Sequence, residues 1–405
     1  MPIETLTQPP VVTKKISKNV IALGVVSLFN DFASEMIYPI IPIFLASFLG
    51  VPVTMIGLIE GIAESTSSLL KTFSGWFSDQ LGARKPFLVT GYSCSTVAKL
   101  LIGLAAGWPM ALFGRFIDRF GKGLRSSSRD ALIAESSQHR YRGRSFGFHQ
   151  GMDTIGAVLG PLSAVLLLKF FPHNLRIIFF VAFVPGLIGI LILLYFVKET
   201  AKNTTSETKQ SLWVGLRCLK LNASFKIFLL ISVIFAIGNS SDMFLILKSK
   251  SIGMSFSLTI LVYALFNLIY ALTSYPVGIL SDRIGPRRTL CFGFLLFSIV
   301  YFLFGVTHTA YWVWVLFPLY GVYMAQSDGV SRAYVSVLVP SENTATVFGI
   351  YQTFVGVCSF FASLIAGILW SKISPAAPFI FGSTMSLLAL FLFMGLHFFT
   401  CRNIT

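Results

Sequence analysis

Long apolar segments alternate with short polar ones along almost the whole chain, from residue 19 to residue 399. A membrane-spanning helix needs roughly 20 mostly apolar residues. Twelve candidate segments lie near residues 19–47, 54–78, 87–107, 109–134, 145–170, 176–197, 223–247, 255–280, 289–307, 310–337, 346–370 and 377–399. The pattern therefore predicts an all-α integral membrane protein with twelve transmembrane helices, which we number span 1 to span 12 in chain order.

The composition excludes most soluble classes of protein. Of the 405 residues, 55% are hydrophobic and only 12% are charged, whereas soluble domains carry about 25% charged residues. The five cysteines are scattered singly, which fits neither a disulfide framework nor a zinc site. The polar residues 1–16 precede an apolar segment that Asn30, Asp31 and Glu35 interrupt, and this is not the pattern of a signal peptide.

The positions of Lys and Arg predict the orientation in the membrane. With an even number of spans, both termini lie on one side, and the segments of that side hold 18 Lys and Arg against five on the other. The positive-inside rule therefore predicts that both termini lie in the cytoplasm. The expected location of the protein is the inner membrane. Most of the net charge of +15 is explained by this topology, so no nucleic-acid partner is predicted.

Internal repeats divide the chain into two halves of six spans. The polar segment 199–222 separates residues 1–198 from residues 223–405. Residues 75–85 read GxxxDxxGxRK and residues 278–288 read GxxxDRxGxRR, an offset of 203 residues. Two further pairs, Arg129 with Arg332 and Phe146 with Phe348, recur at offsets of 203 and 202 residues. A constant offset across separate loops indicates two copies of one six-helix unit.

Twelve spans in two related halves, with the GxxxDxxGxRK loop after spans 2 and 8, resemble the major facilitator superfamily of secondary transporters over essentially the whole chain. The resemblance implies two helical bundles that rock about a central cavity and open it to each side in turn. It also implies that the loop charges form a gating latch, made here by Asp79, Arg84 and Lys85 and in the second copy by Asp282, Arg287 and Arg288. The alternative is that both loops are ordinary helix-reversing turns.

Span 4 carries an unusual row of charges. At 100° per residue its charged side chains share an arc of about 120° along roughly 21 Å of helix. They are Arg115, Asp118, Arg119, Lys122, Arg125 and Arg129. Cations cost about 3 kcal/mol each near the membrane centre, so this cationic ladder must face water or partner helices.

A cavity lined by the ladder would prefer anions. We therefore predict a substrate site at Arg119, Lys122 and Arg125. Arg115 is added because it also matches an arginine that family members carry early in this span, and Asn239 and Asp328 could complete the site from the second half. The alternative is that carboxylates on other helices neutralise the ladder. Acids at suitable depth are Asp31, Glu35, Glu60, Glu64, Asp153, Asp242 and Asp328.

Acids inside the bundle are candidates for proton coupling. In span 1, Asp31 and Glu35 share one face with Asn30, Ser34 and Tyr38. A carboxylate that is partly shielded from water is protonated more readily. It can therefore take up and release a proton as the cavity opens to each side of the membrane in turn. Asp31 and Glu35 are the first choices and Asp153 in span 5 the second. The alternative is a permanent salt bridge to span 4. In span 2 the stripe of Glu60, Glu64 and Lys71 is interpreted as partly self-neutralised rather than as a binding site.

Other motifs indicate packing rather than chemistry. The glycines of residues 147–151 and 156–160 are spaced for close helix contact. The run 156–161 also resembles the span 5 motif of the family's proton antiporters, although its later glycines are replaced by Ser163 and Ala164. Residues 121–123, GKG, lack the spacing of a phosphate loop, and the five histidines lack metal-ligand spacing. No cofactor or metal is predicted.

The sequence thus predicts a proton-coupled secondary active transporter, not an enzyme. It would move a small polar, anionic organic solute, such as a polycarboxylate or a carboxylate siderophore, by alternating access. Its predicted partners are this solute, protons and membrane lipid, and it is expected to act as a monomer. Two alternatives stay open: a multidrug/H⁺ antiporter that exports lipophilic compounds, and a sensor that binds a solute without transporting it.

Overall fold

The computed structural model describes residues 16–137, 142–171, 174–199, 223–338 and 344–401. The side chains of some residues within these ranges, Asp79 and Asp328 among them, lie outside the description. Residues 200–222, which make up nearly all of the predicted linker 199–222, are also outside the described ranges.

The twelve predicted spans are present, and the all-α fold is confirmed. Spans 1 to 6 are Lys18–Ile37 with its continuation Ile41–Ile43 and Phe44–Phe48, Val53–Leu81, Lys85–Gly103, Trp108–Glu135, Arg142–Phe170 and Leu175–Phe196. Spans 7 to 12 are Ala223–Gly238 with its continuation Met243–Ser251, Phe256–Ile284, Pro286–Val306, Ala310–Leu338, Thr344–Lys372 and Ala377–Cys401.

Eight of these helices are both long and apolar enough to cross a membrane by length and composition. The exceptions are spans 2, 3, 4 and 10, each of which has 19 or more residues. Spans 2 and 4 are the helices that carry Glu60, Glu64 and the cationic ladder. Their lower hydropathy therefore reflects charged side chains that face the protein interior and not a shorter helix.

Consecutive spans run antiparallel because the connections between them are short. One end of the bundle, here called the basic end, contains the start of span 1 at Lys18, the connection 82–84 and the end of span 6 at Phe196. The opposite end, here called the far end, contains the connections 49–52 and 252–255.

Spans 1 and 7 are both interrupted, although each is predicted as one continuous helix. Span 1 breaks at residues 38–40, where Pro39 lacks a backbone N–H. Span 7 breaks at residues 239–242, a polar Asn-Ser-Ser-Asp segment. The two breaks are offset by nearly the same number of residues as the sequence repeats. Interrupted helices at equivalent positions are typical of the substrate region of repeat-built transporters.

The two halves pack together toward the far end, with span 2 against span 11 and span 5 against span 8. Thr54 donates a hydrogen bond to Ser371 at 2.8 Å. Nearer the bundle centre, a side chain at Gly61 would lie 2.8 Å from the carbonyl oxygen of Phe360. In span 5, the carbonyl oxygen of Ala157 accepts a hydrogen bond from the amide of Asn267 of span 8 at 3.1 Å. This is the arrangement of a bundle closed at the far end.

Candidate functional site

Glycines set the position of the cationic ladder. A side chain at Gly91 in span 3 would lie 2.7 Å from the carbonyl oxygen of Gly121 in span 4. On the other side of span 4, a side chain at Gly123 would lie 2.6 Å from Cβ of Leu70 in span 2. Gly121 and Gly123 of the GKG segment thus let span 4 pack closely against spans 3 and 2. Lys122 lies between these two glycines in the sequence.

Span 5 packs against span 1 through its own glycines. A side chain at Gly156 would lie 2.6 Å from the carbonyl oxygen of Leu28, and one at Gly160 would lie 2.8 Å from the backbone nitrogen of Met36. The packing role predicted for the glycines of residues 156–160 is confirmed, whereas side chains at Gly147 and Gly151 would meet no described atom within 4 Å, so close helix contact is not found there. The contact at residues 156–160 brings Asp153 to the same interior as the acids of span 1.

Arg115 is held in a buried ion pair. Its Nε and Nη2 donate to the two oxygens of Glu60 at 2.8 and 2.7 Å, and its Nη1 lies 3.4 Å from Oδ2 of Asp118. The side chains of Arg115 and Glu60 are 2% and 0% exposed. Two-point pairing with a carboxylate is a strong, geometrically specific interaction. The guanidinium of Arg115 is therefore occupied by the protein itself.

Arg119, one turn along, is paired less completely. Its Nη2 lies 3.2 Å from Glu64 and its Nε lies 3.8 Å from Asp118. The guanidinium carbon also lies 5.9 Å from the ring centroid of Tyr38. Its Nε is buried and has no hydrogen-bond partner among the described residues. Arg119 is thus partly neutralised, and part of its donor capacity is unused.

Lys122 and Arg125 differ from the cations before them on the ladder. Arg125 is 5% exposed, its Nη1 donates to Oγ of Ser95 at 2.5 Å, and its guanidinium lies 4.8 Å from the ring centroid of Tyr92. Lys122 is half-buried. Within the described part of the chain, neither cation has a carboxylate within 4 Å. These two predicted substrate residues therefore have no described carboxylate in direct contact, although acids such as Asp31 and Glu64 lie in the same interior.

A further buried cation, Lys99 in span 3, was missed by the sequence analysis. Its side chain is 0% exposed. Its Nζ donates to Oγ of Ser34 in span 1 at 3.3 Å and to the carbonyl oxygen of Ser95 at 3.0 Å. The available signal was a single lysine in an apolar stretch, one turn before the end of a span, since charges inside the membrane are rarely without function.

The predicted proton-coupling acids lie in the same interior. Asp31 accepts a hydrogen bond from Asn30 at 3.2 Å. Glu35 accepts hydrogen bonds from the hydroxyl of Tyr263 at 2.9 Å and from the amide of Asn267 at 3.5 Å. Tyr263 and Asn267 belong to span 8, so Glu35 joins the two halves at the interruption of span 1. Among the described cations none lies within 4 Å of Asp31 or Glu35.

Asp153 belongs to a separate cluster nearer the basic end. Its Oδ2 lies 3.5 Å from Nδ1 of His149 and 3.8 Å from Nη1 of Arg129. Arg129 also contacts Oδ1 of Asp130 at 3.1 Å. Asp153 is therefore paired within the first half, whereas Glu35 reaches the second half.

Several buried polar atoms of the first half have no hydrogen-bond partner among the described residues. They are Oδ1 of Asn30, the hydroxyls of Tyr92, Thr96 and Ser128, Nε of Arg119, Nε2 of His149 and Oδ1 of Asp153. Buried polar groups in proteins are nearly always paired. An interior with this many unused donors and acceptors is suited to water or a polar solute.

The second half contributes fewer polar groups to this region. The amide of Asn239 donates to the hydroxyl of Tyr323 at 3.4 Å, and the hydroxyl of Tyr320 donates to Asp242 at 2.7 Å. Asn239 lies at the interruption of span 7, and its part in a substrate site stays a prediction. The side chain of Asp328 is outside the description.

The predicted latch residues lie at the basic end. Arg84 donates to Glu135 at 3.0 Å and to Ser78 at 2.6 Å, and the backbone N–H groups of Arg84 and Lys85 donate to the carboxylate of Glu199 at 2.9 and 2.8 Å. These contacts are all within the first half and the segment that follows it. The side chain of Asp79 is outside the description, and a latch between the halves stays a prediction.

The second copy of the latch has different surroundings. Nη2 of Arg287 donates to the carbonyl oxygen of Phe393 in span 12 at 2.7 Å, and its guanidinium lies 5.3 Å from that residue's ring centroid. Asp282 and Arg288 are exposed. No group of three or more His, Cys, Asp or Glu in the described ranges could hold a metal ion.

Comparisons with known proteins agree with this architecture. The sequence profile of the Major Facilitator Superfamily matches residues 23–249 and 239–402. The chain is 39% identical over 382 residues to an uncharacterized MFS-type transporter of Methanocaldococcus jannaschii, covering 93% of this chain and 94% of that one. It is 30% identical over 135 residues to the multidrug resistance protein MdtH of Enterobacter sp., covering 33% of each chain.

Among solved structures, a mutant of the nucleoside transporter NupG superimposes with a TM-score of 0.79. The alignment covers 93% of this chain and 99% of that one at 11% sequence identity. Identity at this level supports the shared fold only.

Proposed function

Because the chain belongs to the major facilitator superfamily, we propose that it is a proton-coupled transporter that moves a small polar, anionic organic solute across the inner membrane by alternating access. Membership of the family and the two-bundle fold make it a multi-pass membrane protein of the MFS transporter type. The proposal adds the charge of the solute, the coupling ion, and the orientation, in which the basic end and both termini are cytoplasmic.

The anion proposal rests on one observation, which is that no described carboxylate contacts Lys122 or Arg125. A buried guanidinium costs several kcal/mol unless it is paired. Arg125 uses one of its five N–H donors in its hydrogen bond to Ser95. A carboxylate of the solute would supply the missing acceptor and countercharge. A polycarboxylate fits better than a monoanion because Lys122 lies one turn away on the same face.

The contacts of Glu35 support proton coupling. An ionised carboxylate only accepts hydrogen bonds, and Glu35 accepts two from span 8. Protonation removes the negative charge that strengthens both bonds. It therefore weakens the closure of the two halves at the far end, and this links proton uptake there to a change of access.

Protonation of Asp31 and Glu35 would also favour anion binding. Both acids lie on span 1 in the same interior as Lys122 and Arg125. Loss of their negative charge makes the field around the two cations more positive. Coupling of this kind is reciprocal, so the bound anion favours protonation by the same factor.

The test is binding and uptake of citrate, used as a polycarboxylate probe, by purified protein in proteoliposomes. Citrate should stabilise the folded protein against heat, and Arg125→Gln should weaken its binding about 10- to 100-fold, since a charged hydrogen bond contributes about 1.5–3 kcal/mol. Lys18→Gln, which removes an exposed cation at the basic end, is the matched control. Equal affinity of Arg125→Gln and wild type would end the anion assignment.

The second candidate function is export of lipophilic compounds. The partial similarity to MdtH favours it, and so do the aromatic side chains of the second half. The two functions separate in one assay. A multidrug exporter would be stabilised by ethidium and not by citrate, and Arg125→Gln would leave ethidium binding unchanged. Binding of citrate without accumulation under an imposed pH gradient would instead indicate a sensor.

A further inference from the structure

A groove on the outer surface of the second half is independent of the central site. It lies between spans 8, 9 and 10 and encloses about 290 Å³. Its lining residues are Leu280, Thr289, Phe292, Leu295, Leu296, Ile299 and Gln326. Four of these, Leu280, Phe292, Leu295 and Ile299, are 40–57% exposed. In a membrane protein an exposed apolar groove of this kind faces lipid.

The groove has the length of one lipid leaflet. Thr289 lies near the start of span 9 at the basic end, and Ile299 lies ten residues further along the helix. At 1.5 Å per residue, this distance is about 15 Å. It is half of the roughly 30 Å hydrocarbon thickness of a bilayer. An acyl chain that enters at the basic end would therefore reach the membrane centre.

Helical spacing places two exposed arginines on the groove side of spans 8 and 9, at the basic end. Arg288 precedes Phe292 by four residues and Leu295 by seven on span 9, so these side chains form one stripe along the helix. Arg283 follows Leu280 by three residues on span 8 and shares its face.

The other charged groups at this end leave the two arginines available. Arg287 is directed to Phe393 and away from the groove. Within residues 280–290, Asp282 is the exposed acid and Arg283 and Arg288 are the exposed cations, so this segment has two exposed cations against one exposed anion. The mouth of the groove therefore combines an apolar channel with a net positive rim.

We propose that this groove binds one anionic phospholipid, with an acyl chain along Phe292, Leu295 and Ile299 and the headgroup phosphate at Arg283 and Arg288. Charge complementarity selects the headgroup, since basic sites between transmembrane helices bind anionic lipid. The apolar lining and its length select the chain. The site would anchor the second half to one leaflet while the halves rock.

The headgroup is tested with phosphatidylglycerol as the probe. The full-length protein is placed in nanodiscs of equal phosphatidylglycerol and phosphatidylcholine, and retained lipids are counted by native mass spectrometry. Wild type should retain phosphatidylglycerol in preference. Arg283→Gln with Arg288→Gln should lower that retention roughly fivefold for each arginine removed.

Lys169→Gln with Lys250→Gln is the matched control, because it removes two exposed cations at the far end. It should retain phosphatidylglycerol as wild type does. An equal loss in this control, or no preference for phosphatidylglycerol in wild type, would overturn the proposal.

The acyl chain is tested by filling the groove. Leu295→Trp should reduce lipid retention with both arginines present. Val184→Trp, at a 53% exposed position on span 6, should not. Thermal unfolding of both variants, which should match wild type, checks that neither loses its fold. Unchanged retention in folded Leu295→Trp would contradict a bound chain.

Gln326 distinguishes a lipid chain from a hydrogen-bonding occupant. Its Oε1 is buried at the inner part of the groove with no partner among the described residues. An aliphatic chain gains nothing from this amide, so Gln326→Leu should retain phosphatidylglycerol at least as well as wild type. A loss of retention in Gln326→Leu would show that the occupant is a polar molecule and would overturn the lipid assignment.

Discussion

The two halves have the same order of helices but opposite interiors. In the first half, charges meet in the core, as in the pair of Arg115 with Glu60. In the second half, aromatic rings fill the equivalent space, and Phe297 and Tyr301 stack with centroids 3.9 Å apart. Under the proposed function, the first half would provide the charges for binding and coupling, while the second would provide the aromatic wall that faces them.

The largest expected effect comes from breaking the ion pair of the first half. Glu60→Leu leaves Arg115 buried without its main countercharge, and loss of one partner of a buried pair costs about 3–5 kcal/mol. Thermal unfolding in nanodiscs should show a large fall in stability. The double variant Glu60→Leu with Arg115→Met should recover much of it. A double variant as unstable as the single one would mean that the pair does more than neutralise itself.

The same pair shows what could be predicted from sequence. Runs of apolar residues predict the positions of the spans, and the helical period of about 3.6 residues predicts the cationic ladder. Motifs that recur about 200 residues apart predict the two halves. The sequence does not predict which cation of the ladder is paired with an acid, because this depends on how spans 2 and 3 are rotated against span 4. Arg115 and Arg125 look equivalent in the sequence, yet one has Glu60 and the other has a serine and a tyrosine ring.

Two further features depend on tertiary contacts. Lys99 points inward because spans 3 and 4 approach closely at Gly91 and Gly121, and its hydrogen bond to Ser34 requires span 1. The hydrogen bond from Tyr263 to Glu35 joins residues 228 positions apart. Periodicity places each residue on a face of its own helix, but it does not say which faces meet.

A second prediction compares the two acids that accept a tyrosine hydroxyl. Glu35 accepts from Tyr263 of the other half, whereas Asp242 accepts from Tyr320 of its own half. Under a gradient of one pH unit, coupled transport can support about tenfold accumulation per proton. Glu35→Gln should reduce accumulation of citrate to the level of equilibration and leave exchange intact. Asp242→Asn should keep uphill accumulation. Uphill transport by Glu35→Gln would remove this residue from coupling.

A third prediction concerns the seam between the halves. A side chain at Gly57 would overlap the carbonyl oxygen of Ser363 and lie 3.2 Å from Cα of Gly367, whereas one at Gly278 meets no atom within 4 Å. Overpacking costs about 1–3 kcal/mol, so Gly57→Ala should shift the protein from the far-end-closed state by roughly fivefold or more.

The shift is measured by labelling Ser363→Cys, a position in span 11 that is 1% exposed in the far-end-closed state, with a membrane-impermeant thiol reagent. Labelling should rise in Gly57→Ala above the background of the native cysteines. Gly278→Ala serves as the matched control and should label like the parent. If both glycine variants label alike, the seam of spans 2 and 11 is not what holds the far end closed.

The smallest effect separates the roles of two tyrosine hydroxyls. Tyr320 donates to Asp242 at 2.7 Å, and Tyr320→Phe keeps the ring but loses this bond, which should cost about 1 kcal/mol of stability. The hydroxyl of Tyr92 in the first half has no partner among the described residues, so Tyr92→Phe should leave stability unchanged within about 0.5 kcal/mol. If that hydroxyl binds the solute, Tyr92→Phe should weaken citrate binding without a loss of stability. Titration calorimetry would detect the weaker binding. The reverse pattern, a destabilised Tyr92→Phe with normal binding, would make the first half as structural as the second.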